Sequence, residues 1–167
     1  MVRQPKNRAR RSGAVTVEFA LGAALFFFFL FGVVEFGRLV VMYNALENAT
    51  REAARWACVR TNIDPTVYPT QAARNQAVRD IFMNYLGELK DSYDTNSVQM
   101  EIVRVIMIPQ PGDPPAGTTY PDWDNARTTD AIRITATANF RTVLPNFLLF
   151  GNTIPMQCIS VMYSEAN

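Results

Sequence analysis

The chain contains no histidine and only two cysteines. The first absence removes His-ligated metal sites, Ser-His and Cys-His nucleophile pairs, and the side chain that most often moves protons near neutral pH. The second leaves too few thiolates for a Cys-only structural zinc site. No acidic residue occurs in residues 1–13, which carry Arg3, Lys6, Arg8, Arg10 and Arg11. No proline occurs between Ala14 and Thr61. The missing side chains argue against an enzyme. The missing proline leaves room for one long helix near the N-terminus.

What is present is unevenly spread. Apolar residues make up 49% of the 167 and charged residues 19%, a balance too apolar for a disordered chain. Six of the eleven phenylalanines lie between Phe19 and Phe31. Ala14–Val34 is an apolar run whose only charge is Glu18. As a helix it spans roughly 31 Å at about 1.5 Å per residue, enough to cross a hydrocarbon core about 30 Å thick. A secretory signal peptide has a shorter apolar region, followed by a small-residue cleavage site. Here the run is longer and continues into Gly32-Val33-Val34-Glu35-Phe36-Gly37-Arg38 without such a site. A soluble core helix does not carry Phe26-Phe27-Phe28-Phe29 with apolar residues on every face. The expected organisation is therefore a basic segment 1–13, a transmembrane segment 14–36, and an exported stem and head over 37–167. Basic residues beside a span stay cytoplasmic, which orients the N-terminus inward. The basic run comes with no reading helix or aromatic platform, so no nucleic-acid partner is expected.

Glu18 is misplaced for a span, since a lone carboxylate in lipid costs at least a few kcal/mol, roughly 2.5–3.5 on insertion scales. Two readings remain open. If the chain is cut between Gly13 and Ala14, the new ammonium lies four residues before Glu18, on the same helix face. That pair can form within one chain or between neighbours, where it sets axial register. Alternatively, Glu18 sits at the interface, solvated or protonated.

These residues resemble a known family. A basic leader ends in Gly13, and Ala14-Val15-Thr16-Val17-Glu18-Phe19 opens a long apolar helix, as in type IV prepilins and pseudopilins. The wider stretch resembles TadE/TadF-like minor pilins of the tight-adherence (Flp) pilus system. It comprises Arg11–Leu21, Gly32–Arg38 and Asn48-Ala49-Thr50-Arg51-Glu52-Ala53-Ala54-Arg55. The ending Ile159-Ser160-Val161-Met162-Tyr163-Ser164-Glu165 is similar to the tail of TadE-like domains. The resemblance implies cleavage by prepilin peptidase after Gly13, and an assembly role for Glu18 and Phe19. It implies partners among membrane lipid, other Tad pilins and the inner-membrane assembly platform. It implies no cofactor, no metal and no small-molecule substrate. Two departures stand out: Glu18 is followed by Phe19 where the major pilins commonly have Tyr, and the first mature residue would be Ala14. Major Flp pilins are much shorter, so the length suits a minor subunit.

Beyond the span the helical pattern continues to about Arg60. Leu39, Met42, Tyr43, Leu46, Ala49, Ala53, Trp56 and Ala57 share one face and are expected to pack on the chain's own head. Glu35 and Arg38 are spaced to pair, and Glu47, Arg51 and Arg55 mark the wet side. Asp64-Pro65 and Tyr68-Pro69 stop this helix. Thr70 is the expected N-cap of a second helix, Gln71–Leu86, with Gly87 at its C-cap and Ala73, Ala77, Ile81, Phe82 and Tyr85 as its apolar face. Three strands follow: Val98–Ile108, Ala131–Thr142 and Met156–Ser164. The fold class is thus α+β, with a long N-terminal helix packed on a small antiparallel sheet and a second helix, as in pilin-like folds.

The proline-rich segment 109–129 reads as a solvated connector; Tyr120, Trp123, Asp113, Asp122, Asp124 and Asp130 are its candidate partner- or cation-binding groups. Asn146–Gly151 reads as a short buried helix, with a membrane-facing contact as the alternative. If the head is exported, Cys58 and Cys158 are expected to form a disulfide, with two buried thiols as the alternative. The functional expectation is a minor pilin that takes part in pilus assembly or priming, and hence in surface adhesion. The alternatives are an uncleaved single-span inner-membrane scaffold and a membrane-tethered enzyme using Asp122 and Asp124.

Overall fold

The structure, a computed structural model, describes residues 9–59, 66–94, 96–143 and 151–164. Most of the basic leader, Asp64-Pro65, Asn146–Phe150 and Glu165 lie outside the described residues. The chain divides into two compact units, one ending at Arg38 and the other beginning at Leu39. Helix α1, Ala9–Val59, contributes to both. It starts five residues before Ala14, the expected first helical residue, and ends one residue short of the expected Arg60.

In the first unit the described residues form helix alone. Its large apolar side chains are exposed, from Val15 and Phe19 to Val34 and Phe36. Glu35 and Arg38 pair at 2.8 Å across one turn, as their spacing predicts.

The second unit is the head. It holds the remainder of α1, α2 (Gln71–Leu86), a 3-10 turn (Gly87–Ser92), and β1 (Gln99–Ile106). It continues through β2 (Thr119–Tyr120), a short 3-10 turn (Trp123–Asn125), β3 (Asp130–Arg141) and β4 (Thr153–Tyr163). The sheet has the order β2-β1-β3-β4 and is antiparallel throughout. Ile102 faces Ile134, and Ala136 faces Cys158.

Local chemistry explains the α2 boundaries. The Ala73 N–H donates to Thr70 Oγ1 at 3.2 Å, satisfying one of the donors that a helix start leaves open. Gly87 closes the helix at φ 54°, and its N–H donates to Met83 O. A Cβ would resist that left-handed turn.

The core is built by period-2 and period-3.6 patterns meeting. Ile132, Ile134, Ala136, Ala138 and Phe140 of β3 all face inward and are buried, as the alternation predicts. Against them lie Leu46, Ala49, Ala53, Ala54 and Ala57 of α1, and Val78, Phe82 and Leu86 of α2. Ala49, Ala53 and Ala57 form a row of small, completely buried side chains along α1. Each large side chain buried here contributes about 1.5–3 kcal/mol. Thr50 is also buried on α1, and its hydroxyl donates back to Leu46 O at 2.7 Å. The Tyr93 hydroxyl donates to Met42 O at 2.6 Å, tying the segment after α2 to α1.

Three expectations are corrected. The α2 face buried in the core is Val78, Phe82 and Leu86; Tyr85 is exposed. Ala73, Ala77 and Ile81 instead line a recess of about 500 Å³ with Trp56, Val67 and Tyr68, edged by Gln76 and Asp80. On α1, Tyr43 lies at the rim of the stripe, 43% exposed with its hydroxyl meeting Cys158, and Ala54 takes a buried place beside the stripe. The segment 109–129 is no plain connector: it contains β2, and Trp123 is fully buried in the core. The indole N–H of Trp123 donates to Asn75 Oδ1 at 2.7 Å, and Asp124 pairs with Arg74. A large aromatic with a polar handle settles where its ring is buried and its N–H is met, and Asn75 of α2 meets the N–H.

Candidate functional site

The strongest functional signal lies at the start of α1. Gly13 and Ala14 sit in regular helix, and nothing lies within 4 Å of the point where a Cβ on Gly13 would be. Glu18 follows one turn later with its side chain exposed, and no ion pair reaches it among the described residues. Phe19 is 76% exposed. Phe19, Phe26 and Phe27 frame a shallow recess of about 400 Å³ floored by Gly22 and Ala23. The rings of Phe26 and Phe27 meet edge-on with centroids 5.7 Å apart. Small residues flanked by aromatic rings offer a notch into which another helix or an acyl chain fits.

An apolar helical surface of this length has two stable environments, lipid or other apolar helices. The helix is long and apolar enough to cross a membrane, and its most apolar window is unburied in the fold. An unpaired carboxylate in that surface demands a counter-charge, a proton or water. The other candidate groups are already engaged. Asp113 pairs with Arg127 at 2.8 Å, and Arg104 lies 3.9–4.0 Å from Asp122 and Asp130 while its guanidinium sits 4.9 Å from the Tyr120 ring centre. The backbone N–H of Gln110, followed by Arg127, holds the Asp113 carboxyl below its ordinary range. Arg104 of β1 and Arg74 of α2 knit the 109–129 segment to the sheet and to α2 through Asp122 and Asp124, while Asp113 and Arg127 pair within the segment.

The expected Cys58–Cys158 disulfide is absent. Both residues are buried thiols, and each meets a different partner. Cys58 Sγ donates to Met162 O at 3.5 Å, whereas Cys158 meets the Tyr43 hydroxyl. Tyr43 lies about 22 Å before Cys58 along α1, at about 1.5 Å per residue. Cys158 lies about 13 Å before Met162 along β4, at about 3.3 Å per residue. The two thiols therefore occupy different heights on the α1–β4 seam, while a disulfide needs Cα atoms about 4.4–6.8 Å apart. Burial pushes the Cys158 thiol above its ordinary range, as suits an inert core group.

The class of protein is thus an α+β head carried on a long N-terminal helix whose first part is apolar enough for membrane anchoring. Residues 13–55 match the model of the TadE-like protein family. This match covers about a quarter of the chain and spans Gly13, Ala14, Glu18 and Phe19. No curated protein and no solved structure matches the chain significantly. The residues that sequence reasoning missed are structural: Val78, Asn75 and Arg74, which receive the folded-back Trp123 segment. A tryptophan and three acids in the proline-rich stretch 109–129 are the available signal, and Arg74, the partner of Asp124, lies 50 residues away in sequence.

Proposed function

We propose that this chain is a minor pilin of a Tad-type pilus, a structural subunit that takes part in pilus assembly or priming. In this reading residues 1–13 are a cytoplasmic leader, 14–36 span the inner membrane, and 37–167 stand in the periplasm. Prepilin peptidase cuts between Gly13 and Ala14. The ammonium of Ala14 then lies one helical turn from Glu18, and the pair forms within a subunit or between neighbours in the growing assembly. Lipid, the peptidase, other Tad pilins and the inner-membrane assembly platform are the partners. The observation that carries the reading is the exposed apolar surface of α1 with Glu18 as its one carboxylate before Glu35, inside the TadE-like segment.

The test is mass spectrometry of the protein extracted from membranes of cells with an active prepilin peptidase. The expected N-terminal residue is Ala14; a chain that keeps residues 1–13 overturns the reading. Glu18→Ala is expected to insert normally and to lose co-purification with other pilus subunits. One observation favours a second reading, that of an uncleaved single-span scaffold. Helix α1 already begins at Ala9, so the Gly13–Ala14 bond lies in helical backbone, which a protease must first unwind.

A further inference from the structure

The two edges of the sheet are built differently. The β2 edge is blunted: β2 has two residues, and Arg104, Asp122, Asp130, Arg127 and Asp113 crowd the region beside it. Short strands and charges are how proteins keep an edge from recruiting another strand. The β4 edge has neither. Its eleven residues, Thr153–Tyr163, contain no charge at all.

Hydrogen-bond parity shows which backbone groups that edge presents. The Ser164 N–H donates to Asp130 O and the Thr142 N–H to Asn152 O. With Ala131 opposite Tyr163 and Arg141 opposite Thr153, even-numbered β4 residues bond to β3, and odd-numbered ones turn their N–H and C=O to the open side. Pro155 is odd, so its nitrogen faces outward, where no donor is needed. From Gln157 to Tyr163 every odd residue offers a donor and an acceptor. No backbone bond reaches these groups among the described residues. The same residues put Ile159, Val161 and Tyr163 on the outer face, 52–60% exposed.

We propose that the Gln157–Tyr163 edge of β4 is a strand-addition site for an extended, uncharged segment of a different protein chain, with apolar residues at alternate positions. Main-chain bonds give such a site its affinity, and the outer ladder of Ile159, Val161 and Tyr163 selects alternate apolar side chains. The absence of charge on β4 disfavours a charged strand, which would lose hydration without finding a counter-ion. A second copy paired antiparallel through its own β4 does not suit the site. Cys58 meets Met162 and Tyr43 meets Cys158, so β4 and this part of α1 run the same way. A twofold axis normal to the sheet would set the two α1 segments in opposite directions, whereas chains anchored in one membrane run alike. Only this exclusion rests on the anchored reading proposed above; the hydrogen-bond parity of β4 does not depend on it.

The test uses the full chain in detergent micelles. The probe is a synthetic peptide of the sequence Thr153–Tyr163 with a solubilising tag outside the strand, because it has the required uncharged alternation. Without peptide, the amides of Gln157, Ile159, Val161 and Tyr163 are expected to exchange with solvent at least tenfold faster than those of Met156, Cys158, Ser160 and Met162. Peptide should slow the odd set alone. Val161→Pro removes one edge donor and leaves the β3 ladder intact, and should weaken peptide binding at least tenfold with the head still folded. Val161→Lys gives the same readout if the proline variant does not fold. A peptide with Lys at the positions of Ile159 and Val161 should not bind. The proposal is overturned by no binding, by changes at even residues (the peptide then replaces β4 on β3), or by odd amides already protected in a dimer of the chain alone. Each of these outcomes is independent of whether residues 1–13 are removed.

Discussion

Residues 14–34 and 42–58 belong to one helix, yet they obey different rules. In the first stretch, large side chains such as Phe26, Phe29 and Leu25 are 62–71% exposed. In the second, Ala49, Ala53, Ala54 and Ala57 are completely buried. Between these two stretches of α1, side-chain size and hydropathy therefore run opposite to burial. The first stretch is selected by its surroundings, because bulky apolar groups on all faces lower their free energy in lipid or against other apolar helices. The second is selected by distance, because small residues let a sheet and a second helix come close enough to exclude water. Helical periodicity alone does not distinguish them. Side-chain volume at the repeating positions does.

The sharpest way to break this comparison is to remove equal rings from both regions. Phe82→Ala is expected to cost the head about 3–5 kcal/mol, the usual loss when a fully buried ring leaves a cavity. Phe26→Ala should leave the head's thermal midpoint unchanged. Equal losses in thermal melts of the two variants would show that the first stretch is part of the same cooperative core.

A smaller effect comes from adding volume. Ala53→Leu overfills the α1 contact and should cost about 1–3 kcal/mol. Ala24→Leu, on the exposed stretch, should be neutral for head stability and helix content. The same melts check both. Tolerance of Leu at position 53 would mean that the alanine row is not a close contact.

The smallest expected effect isolates one hydrogen bond in the head. Tyr93→Phe should cost about 1 kcal/mol at neutral pH through loss of the bond to Met42 O. Burial first, and the Cys158 thiol second, push the Tyr93 phenol from 10.0 up to about 12. The folded state thus holds this proton more tightly than the unfolded chain. Its contribution is whole below about pH 10 and is lost as pH rises through about 12. Urea midpoints across that alkaline window should fall for the native chain by more than for Tyr93→Phe. Parallel curves would place the phenol in contact with solvent.

Much of the architecture was legible before any coordinates. Thr70 and Gly87 marked the ends of α2 because capping is a matter of residues three or four apart, and both caps are present. The strict alternation from Ile132 to Phe140 declared β3 and its buried side. The Gly13–Phe19 segment was legible as a candidate site for the same reason: its signals, a basic run, a small-residue junction and one acid in an apolar run, are contiguous. Legibility failed where the deciding contact was distant. The segment carrying Trp123 reads as a solvated connector because Asn75, which receives its indole N–H, lies 48 residues earlier. The two cysteines invited a bridge because sequence gives their separation along the chain and nothing of their heights on the α1–β4 seam.

The sequence by itself determined the long helix, its change from bulky to small apolar residues, the caps of α2, the α+β class and the lone acid at Glu18. These follow from short-range sterics, hydrogen-bond valence and hydropathy, which act between residues a few places apart. Long-range packing sets which face of α2 meets the core, that the proline-rich segment folds back with Trp123 buried, that Cys58 and Cys158 stand apart, and that β4 is the last strand of the sheet. Those outcomes depend on which distant surfaces exclude water together, a competition settled among all the elements at once.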